Sequence, residues 1–414
     1  GENHFNTTKR LGTRIYSNGN YIGGNYYTNS TGNGYSDICI DSNHDGFCDN
    51  ALNLSNGSSV AWDYLPLSDE YHAINISSCT TLNESGAIYH LVADIINSST
   101  SKCINITAND VTLDCQGHKI DGNDNANWGI YIYRSSAQTT NITVKNCEVS
   151  DWGNGVGSNW GNILIQNADG NVLENIITKS SQSGGIIVKS SDNNLISNIT
   201  STGNGQYGIQ FYYAYNNTLE NSTIHGGYYG VDIYYAENNT IRNNVIEGCS
   251  YGMDDTGGYH NLFYNNLFNS SNNFETPYNN LWNTSKQLGD NIYDPDNPYI
   301  GGNYWTNPNG NGYSDTCNDT DHDGFCDNPL NLSNGTSVAW DYLPLSDEYS
   351  DTTTTTTTTT STSTTTIWPC DLPGDYPPCG EVTLEEVVDF INLWSQGQAD
   401  LGDVVNLINA WAGS

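Results

Sequence analysis

Between Gly185 and Phe268 the chain repeats itself every 22 to 23 residues, a regularity that few folds tolerate. One copy reads Gly185-Ile186-Ile187-Val188, then Asn194-Leu195-Ile196-Ser197-Asn198. The next copies open at Gly208, Gly230 and Gly252 and continue through Asn217-Thr218-Leu219, Asn239-Thr240-Ile241 and Asn261-Leu262-Phe263. Asparagines 175, 198, 221, 243 and 265 follow at intervals of 23, 23, 22 and 22. Each copy holds short segments that alternate apolar and polar, the period of a strand with one buried face. Glycine and asparagine punctuate them, and both accept the left-handed backbone of a tight corner. A repeat of this length without helical periodicity predicts a coil of parallel strands in which each turn hydrogen-bonds to the next. Stacked asparagines can then bond amide to amide along the coil. A β-sandwich, the competing reading, keeps no fixed residue period.

The ends of the coil carry a duplicated segment. Residues 22–71 recur as residues 300–349 at a constant offset of 278, and Asn6-Thr7-Thr8-Lys9 and Leu11-Gly12 recur as Asn283-Thr284-Ser285-Lys286 and Leu288-Gly289. The first twenty residues therefore read as the exit from a coil that is not upstream, and the chain as a window on a head-to-tail array. The expected organisation is an N-terminal module over 1–71, a β-helix of about seven turns over 72–299, and a second module over 300–350. A Thr-rich linker over 351–366 and a small helical domain over 367–414 follow. The linker cannot bury a core and reads as an O-glycosylated stalk. In the tail, Val382–Trp394 recurs as Ala399–Trp411, with Thr383 and Asp400 as N-caps. The fold class is all-β, with a two-helix appendage.

With 46 acidic and 11 basic residues, the net charge of −35 repels a phosphate backbone and makes cations the natural partners. No run approaches the roughly 20 apolar residues that span a bilayer. No signal peptide stands at Gly1, as expected of a processed or trimmed chain. Eleven cysteines point to an oxidising compartment. Cys39/Cys48 and Cys317/Cys326 sit at identical spacing in the two modules, and Cys370/Cys379 brackets a short loop, so these are expected local disulfides. Cys79/Cys103 and Cys115/Cys147 are further expected pairs, leaving Cys249 buried in the coil. Eighteen glycosylation sequons also point to export: Asn6, Asn29, Asn53, Asn56, Asn75, Asn83, Asn97, Asn105, Asn141, Asn198, Asn216, Asn221, Asn238, Asn269, Asn283, Asn318, Asn331 and Asn334.

The strongest chemical signal is an acidic loop that occurs twice. Asp319, Asp321, Asp323 and Asp327 surround Gly324, and Asp41, Asn43, Asp45 and Asp49 surround Gly46 in the same pattern. Hard oxygen ligands at alternate positions with a glycine at the sharp turn suit Ca²⁺. A second signal lies on the coil. Gln210, Asp232 and Asp254 occupy equivalent places in successive copies and are expected to face solvent, with Asp255 and His260 near. Paired carboxylates about 5 to 9 Å apart serve glycoside hydrolysis, but an acidic chain produces such pairs by chance. These aspartates are weak catalytic candidates, and an enzyme is the less favoured reading. Tyr212, Tyr213, Tyr234 and Tyr235 form a ladder that could stack on sugar rings or on another subunit.

Both acidic loops resemble the aspartate-rich calcium repeats of thrombospondin type 3. Gly301-Gly302-Asn303-Tyr304-Trp305, the Asp319–Asp327 loop and Asp341-Tyr342-Leu343-Pro344-Leu345, together with the coil, resemble NosD-like β-helix repeat proteins of archaeal surfaces. That resemblance implies an exported right-handed parallel β-helix and little about activity. The tail resembles a dockerin. Asp375 and Glu386 hold outer ligand positions and Gly380 the turn, but Pro377 and Cys379 replace inner ligands and the second loop is short. Taken together, the sequence predicts an extracellular, calcium-stabilised structural glycoprotein whose partner is another copy of itself, assembling head to tail into a filament or sheath. A polysaccharide-binding adhesin anchored by its tail and a polysaccharide hydrolase or lyase are the alternatives.

Overall fold

The structure is a computed structural model that describes residues 3–12, 14, 21–41, 45–55, 60–68, 73–124, 126–133, 139–153, 160–275, 280–333 and 338–349. Asn43, Asn56, Asn334, Cys370 and Cys379, the linker and the tail lie outside them.

Two long parallel sheets run along the coil. One has nine strands in chain order: Thr80–Leu82, Lys102–Ile106, Trp128–Ile132, Gly161–Gln166, Gly184–Lys189, Tyr207–Tyr212, Tyr229–Tyr234, Tyr251–Thr256 and Asn272–Phe274. It therefore has two strands more than the expected seven turns: Thr80–Leu82 and Asn272–Phe274 extend the sheet at its two ends. The other sheet starts at Ile74–Ile76 and ends at Tyr304–Thr306, a strand of the second module. The chain is a parallel β-helix.

Strand register explains the core. Ile104, Ile130, Ile163, Ile186, Ile209, Val231 and Met253 lie opposite one another on successive strands, and all are buried. Two residues on, Ile106, Ile132, Ile165, Val188, Phe211 and Ile233 form a second inward row. β-branched side chains suit this stacking because one rotamer packs on its copies above and below. Corners fall at asparagines 175, 198, 221, 243 and 265, all left-handed with φ between 52° and 57°.

The main amide ladder runs through a different set of asparagines. Asn171, Asn194, Asn217, Asn239, Asn261 and Asn280 are buried, and each side-chain oxygen accepts from the amide groups of the preceding member. The corner asparagines bond less evenly, with Asn243 to Asn221 at 3.2 Å nearer the surface and Asn265 to Asn243 at 2.8 Å where Asn265 is buried. Asn217 is a sensitive position. Its amide donates to Ser191 O and Asn239 Oδ1, and its oxygen accepts the backbone and side-chain N–H of Asn194. Asn217→Leu strands these buried groups and is expected to cost about 2–3 kcal/mol in urea unfolding. Asn221→Gly at the exposed corner keeps the left-handed backbone accessible and is expected to cost under about 0.5 kcal/mol; equal losses would remove the ladder from the stability argument.

Disulfides brace the coil and the modules. Cys79–Cys103 and Cys115–Cys147 join neighbouring turns, and Cys39–Cys48 and Cys317–Cys326 close the acidic loops. Cys249 is free and buried.

The second module closes the coil. Tyr304–Thr306 adds a parallel strand to Leu267–Asn269, pairing Phe268 with Trp305. The indole of Trp305 stacks on Phe268 at 4.5 Å between ring centres, and Trp282 stacks on Phe263 at the same distance. Asn303 continues a second ladder: its Oδ1 accepts from both N–H groups of Asn266. Behind this face, Asp341 gathers the N–H of Asn303, the N–H of Leu343 and the indole N–H of Trp305. An open coil end is a strand edge that must be covered, and this module covers it.

Candidate functional site

The outward face of the nine-strand sheet holds the acidic row. Tyr131, Leu164, Ile187, Gln210, Asp232 and Asp254 stand in register. The expected stack of Gln210, Asp232 and Asp254 is present, but it does not face solvent: their exposures are 1%, 4% and 8%. Flanking tyrosines account for the burial. Tyr207, Tyr229 and Tyr251 line one side of the row, and Tyr212 and Tyr234 the other. The Tyr207–Tyr229 and Tyr212–Tyr234 rings stack at 6.1 and 4.9 Å. Gln210 donates to Asp232 Oδ2 at 2.6 Å. Burial pushes the Asp232 carboxyl up to about 7, against the pull of the Gln210 bond and with help from Asp254 and Asp255.

Asp255 belongs elsewhere. It follows Asp254 on one strand, so it points to the opposite face and ends the inward row, opposite Ile233. It is fully buried and accepts from Gly258 N and from the side chain of Asn280. His260 is exposed at a left-handed corner. The sequence grouped Asp232, Asp254, Asp255 and His260; the fold separates Asp255 and covers the other two aspartates with tyrosine rings. Those cover tyrosines 207, 229 and 251 escaped the sequence reading, although each directly precedes a repeat glycine, Gly208, Gly230 or Gly252.

The ladder of Tyr212, Tyr213, Tyr234 and Tyr235 forms as expected. Tyr213 stacks on Tyr235 at 5.3 Å, and the two rings are 40% and 45% exposed. Nearer the start of the coil, Trp128 stacks on Tyr131 at 4.7 Å with the Lys102 ammonium 4.3 Å from the Tyr131 ring centre. Beside them an open cleft of about 630 Å³ is lined by Asn83, Ser85, Lys102, Asn105, Thr107 and Tyr133 among others.

The second acidic loop brings Asp319, Asp321 and Asp327 together, with carboxylate oxygens within 4.8 Å of one another. Asp323 turns away to Lys286 at 2.7 Å. Asp319 also accepts the N–H groups of Asp323 and Gly324, which fixes the turn. The first loop repeats this geometry: Asp41 accepts from the N–H of Asp45 and Gly46, and Asp45 pairs with Lys9 at 2.7 Å. In each module a lysine from the preceding segment takes the ligand at the third position, a contact that loop spacing does not reveal. An all-oxygen set of three carboxylates suits a hard cation. Every described sequon asparagine is at least partly exposed.

No curated relative matches the chain. Among solved structures, the Dettilon tailspike protein gp208 is 13% identical with a TM-score of 0.34, covering 58% of this chain and 56% of its own. The periplasmic alginate epimerase AlgG is 15% identical with a TM-score of 0.33, covering 55% and 62%. The A-module of the Azotobacter vinelandii mannuronan C-5 epimerase AlgE4 is 16% identical with a TM-score of 0.24, covering 50% and 80%. The chain thus spans little more than half the length of the tailspike, and likeness at this level says nothing of activity. A family profile described as periplasmic copper-binding protein (NosD) matches residues 73–310. The described residues do not fit copper, which favours imidazole, thioether and thiolate ligands. Met253 is packed in the core, Cys249 is buried with its thiol pushed up to about 11 by that burial, and no histidine joins a cluster of ligands among the described residues. The profile nonetheless covers the whole coil and more than half of the 414 residues, and the chain belongs to the NosD family.

Proposed function

We propose that the protein is an extracellular structural glycoprotein of an archaeal cell surface, stabilised by calcium and assembling head to tail into a filament or sheath. One observation carries this reading: the same module stands on both sides of the coil in sequence, and among the described residues only the second copy adds a strand to the coil's end. At the other end of the coil, no strand pairs with the outer edges of Ile74–Ile76 and Thr80–Leu82 among the described residues. Open edges of this kind invite a neighbour. Asp319, Asp321 and Asp327 are the residues that would hold calcium, with Asp41 and Asp49 their counterparts. The ion would offset carboxylate repulsion and lock the loop beside the cap.

Negative-stain microscopy tests the proposal. Purified protein in millimolar calcium is expected to form fibres with a regular axial repeat that lose order in chelator. Monodisperse particles at all concentrations, with a melting temperature that ignores calcium, would overturn it. A second reading, a polysaccharide-binding adhesin, is favoured by the exposed ring stack of Tyr213 and Tyr235 and by the cleft beside Trp128. The hydrolase or lyase reading loses support from the burial of Asp232 and Asp254 beneath tyrosines.

A further inference from the structure

The two modules are near copies, and in one of them the surface that holds the coil is left open. In the second module this surface is Trp282, Asn303, Trp305 and Thr306, with exposures of 0%, 0%, 2% and 8%. Their counterparts in the first module are Phe5, Asn25, Tyr27 and Thr28. Phe5 is 44% exposed, Asn25 and Thr28 are exposed, and Tyr27 is half-buried. Tyr27 and Thr28 lie in no strand, whereas Trp305 and Thr306 belong to the strand Tyr304–Thr306.

The first module is nevertheless built to the same plan from behind. Asn25 N–H donates to Asp63 at 2.9 Å, as Asn303 N–H donates to Asp341 at 2.9 Å. Tyr27 N–H donates to Ser36 Oγ at 2.8 Å, and Trp305 N–H to Ser314 Oγ at 2.8 Å. Thr28 Oγ1 donates to Asp37, and Thr306 Oγ1 to Asp315. The Tyr27 hydroxyl reaches Asp63 at 3.0 Å, where the Trp305 indole N–H reaches Asp341 at 2.9 Å. Each aromatic position is thus set before any coil arrives. What differs is the front. Asn303 Oδ1 accepts two bonds from Asn266. No donor reaches Asn25 Oδ1 among the described residues.

The geometry also fixes which end of a coil can sit there. Ser36 covers one edge of the Tyr27 segment, since Ser36 N–H also donates to Tyr27 O. The free edge is the one through which Trp305 meets Phe268, so it accepts a strand from the C-terminal side of a coil. In this chain that side is already under the second module. We infer that residues 5 and 25–28 form a preformed seat for the C-terminal turn of a further parallel β-helix. That turn would carry an aromatic ring where Phe268 stands and an asparagine where Asn266 stands. This deepens the end-to-end reading, yet it concerns a joint between coil and cap and does not depend on association between copies.

The test supplies such a turn. Gly1–His4 of the full chain is replaced by a second copy of residues 73–281, so that a coil ends directly ahead of Phe5 as the present one ends ahead of Trp282. Hydrogen exchange is then followed in peptides covering residues 25–28. Exchange there is expected to slow at least tenfold, approaching that of residues 303–306, and Phe5→Asp is expected to reverse the change while the original coil stays protected. Unchanged exchange beside a folded added coil would overturn the inference. So would an added coil that stays unfolded, because the same residues fold against the second module. Fibres seen without this slowing leave the assembly reading standing and remove the seat.

Discussion

Trp305→Ala is expected to destabilise the protein by about 3–5 kcal/mol, while the matching change Tyr27→Ala costs about 1 kcal/mol or less. The asymmetry follows from what each ring touches. Trp305 is 2% exposed, stacks on Phe268, meets Phe274 edge-on and donates to Asp341. Removing it opens a cavity at the end of the core and takes one donor from a buried carboxylate whose burial already pushes it up to about 6. Tyr27 is half-buried and bonds the equivalent Asp63, but no strand of the coil pairs with it among the described residues. In a solenoid each turn rests on its neighbour, so loss at a capped end frays the turns behind it. Urea unfolding, with hydrogen exchange across Leu262–Asn269, measures both variants. Similar losses at the two sites would show that the second module is not what holds the coil end.

The sequence carried the coil and its caps more clearly than it carried the site, and the reason is physical. Strand alternation and left-handed corners leave a fixed period, and that period identifies the rows of Ile163, Ile186 and Ile209 without coordinates. It does not say which of several asparagines in one repeat turns inward. Asn194 and Asn198 recur with equal regularity, yet Asn194 is 2% exposed and builds the buried ladder, while Asn198 is an exposed corner. The acidic pair fails for a related reason. Asp254 and Asp255 are adjacent in sequence, and a strand sends adjacent side chains to opposite faces. The burial of Asp232 depends on tyrosines contributed by neighbouring turns, which only the packing reveals. Lys286, 37 residues from Asp323, claims a carboxylate that spacing alone assigned to a metal.

Asp232→Asn is expected to stabilise the protein by about 4 kcal/mol at pH 8 and to change nothing at about pH 3. Burial raises the folded-state carboxyl from its ordinary 3.8 to about 7. The charged groups near it are Asp254 beside it on the outer face and Asp255 behind; both are acidic and oppose its ionisation, and Tyr207 covers it. Below about pH 3 the group is neutral in folded and unfolded chains alike, and it costs nothing. Between about pH 4 and 7 the unfolded chain gives up its proton first, so stability falls as pH rises. Above about 7 both states are ionised and the penalty is constant, near three pKa units or about 4 kcal/mol. An amide of the same shape keeps an oxygen to accept from Gln210 and carries no charge, so it removes the penalty at high pH alone. Unfolding free energies of the two proteins should therefore converge at about pH 3 and separate as the pH is raised. Curves that run parallel from pH 4 to 8 would sink the assignment of a buried, proton-holding carboxyl to the floor of the tyrosine rows. That outcome would place an ionised carboxylate there instead, and with no lysine or arginine in the row to balance it, a bound cation would become the simplest counter-charge.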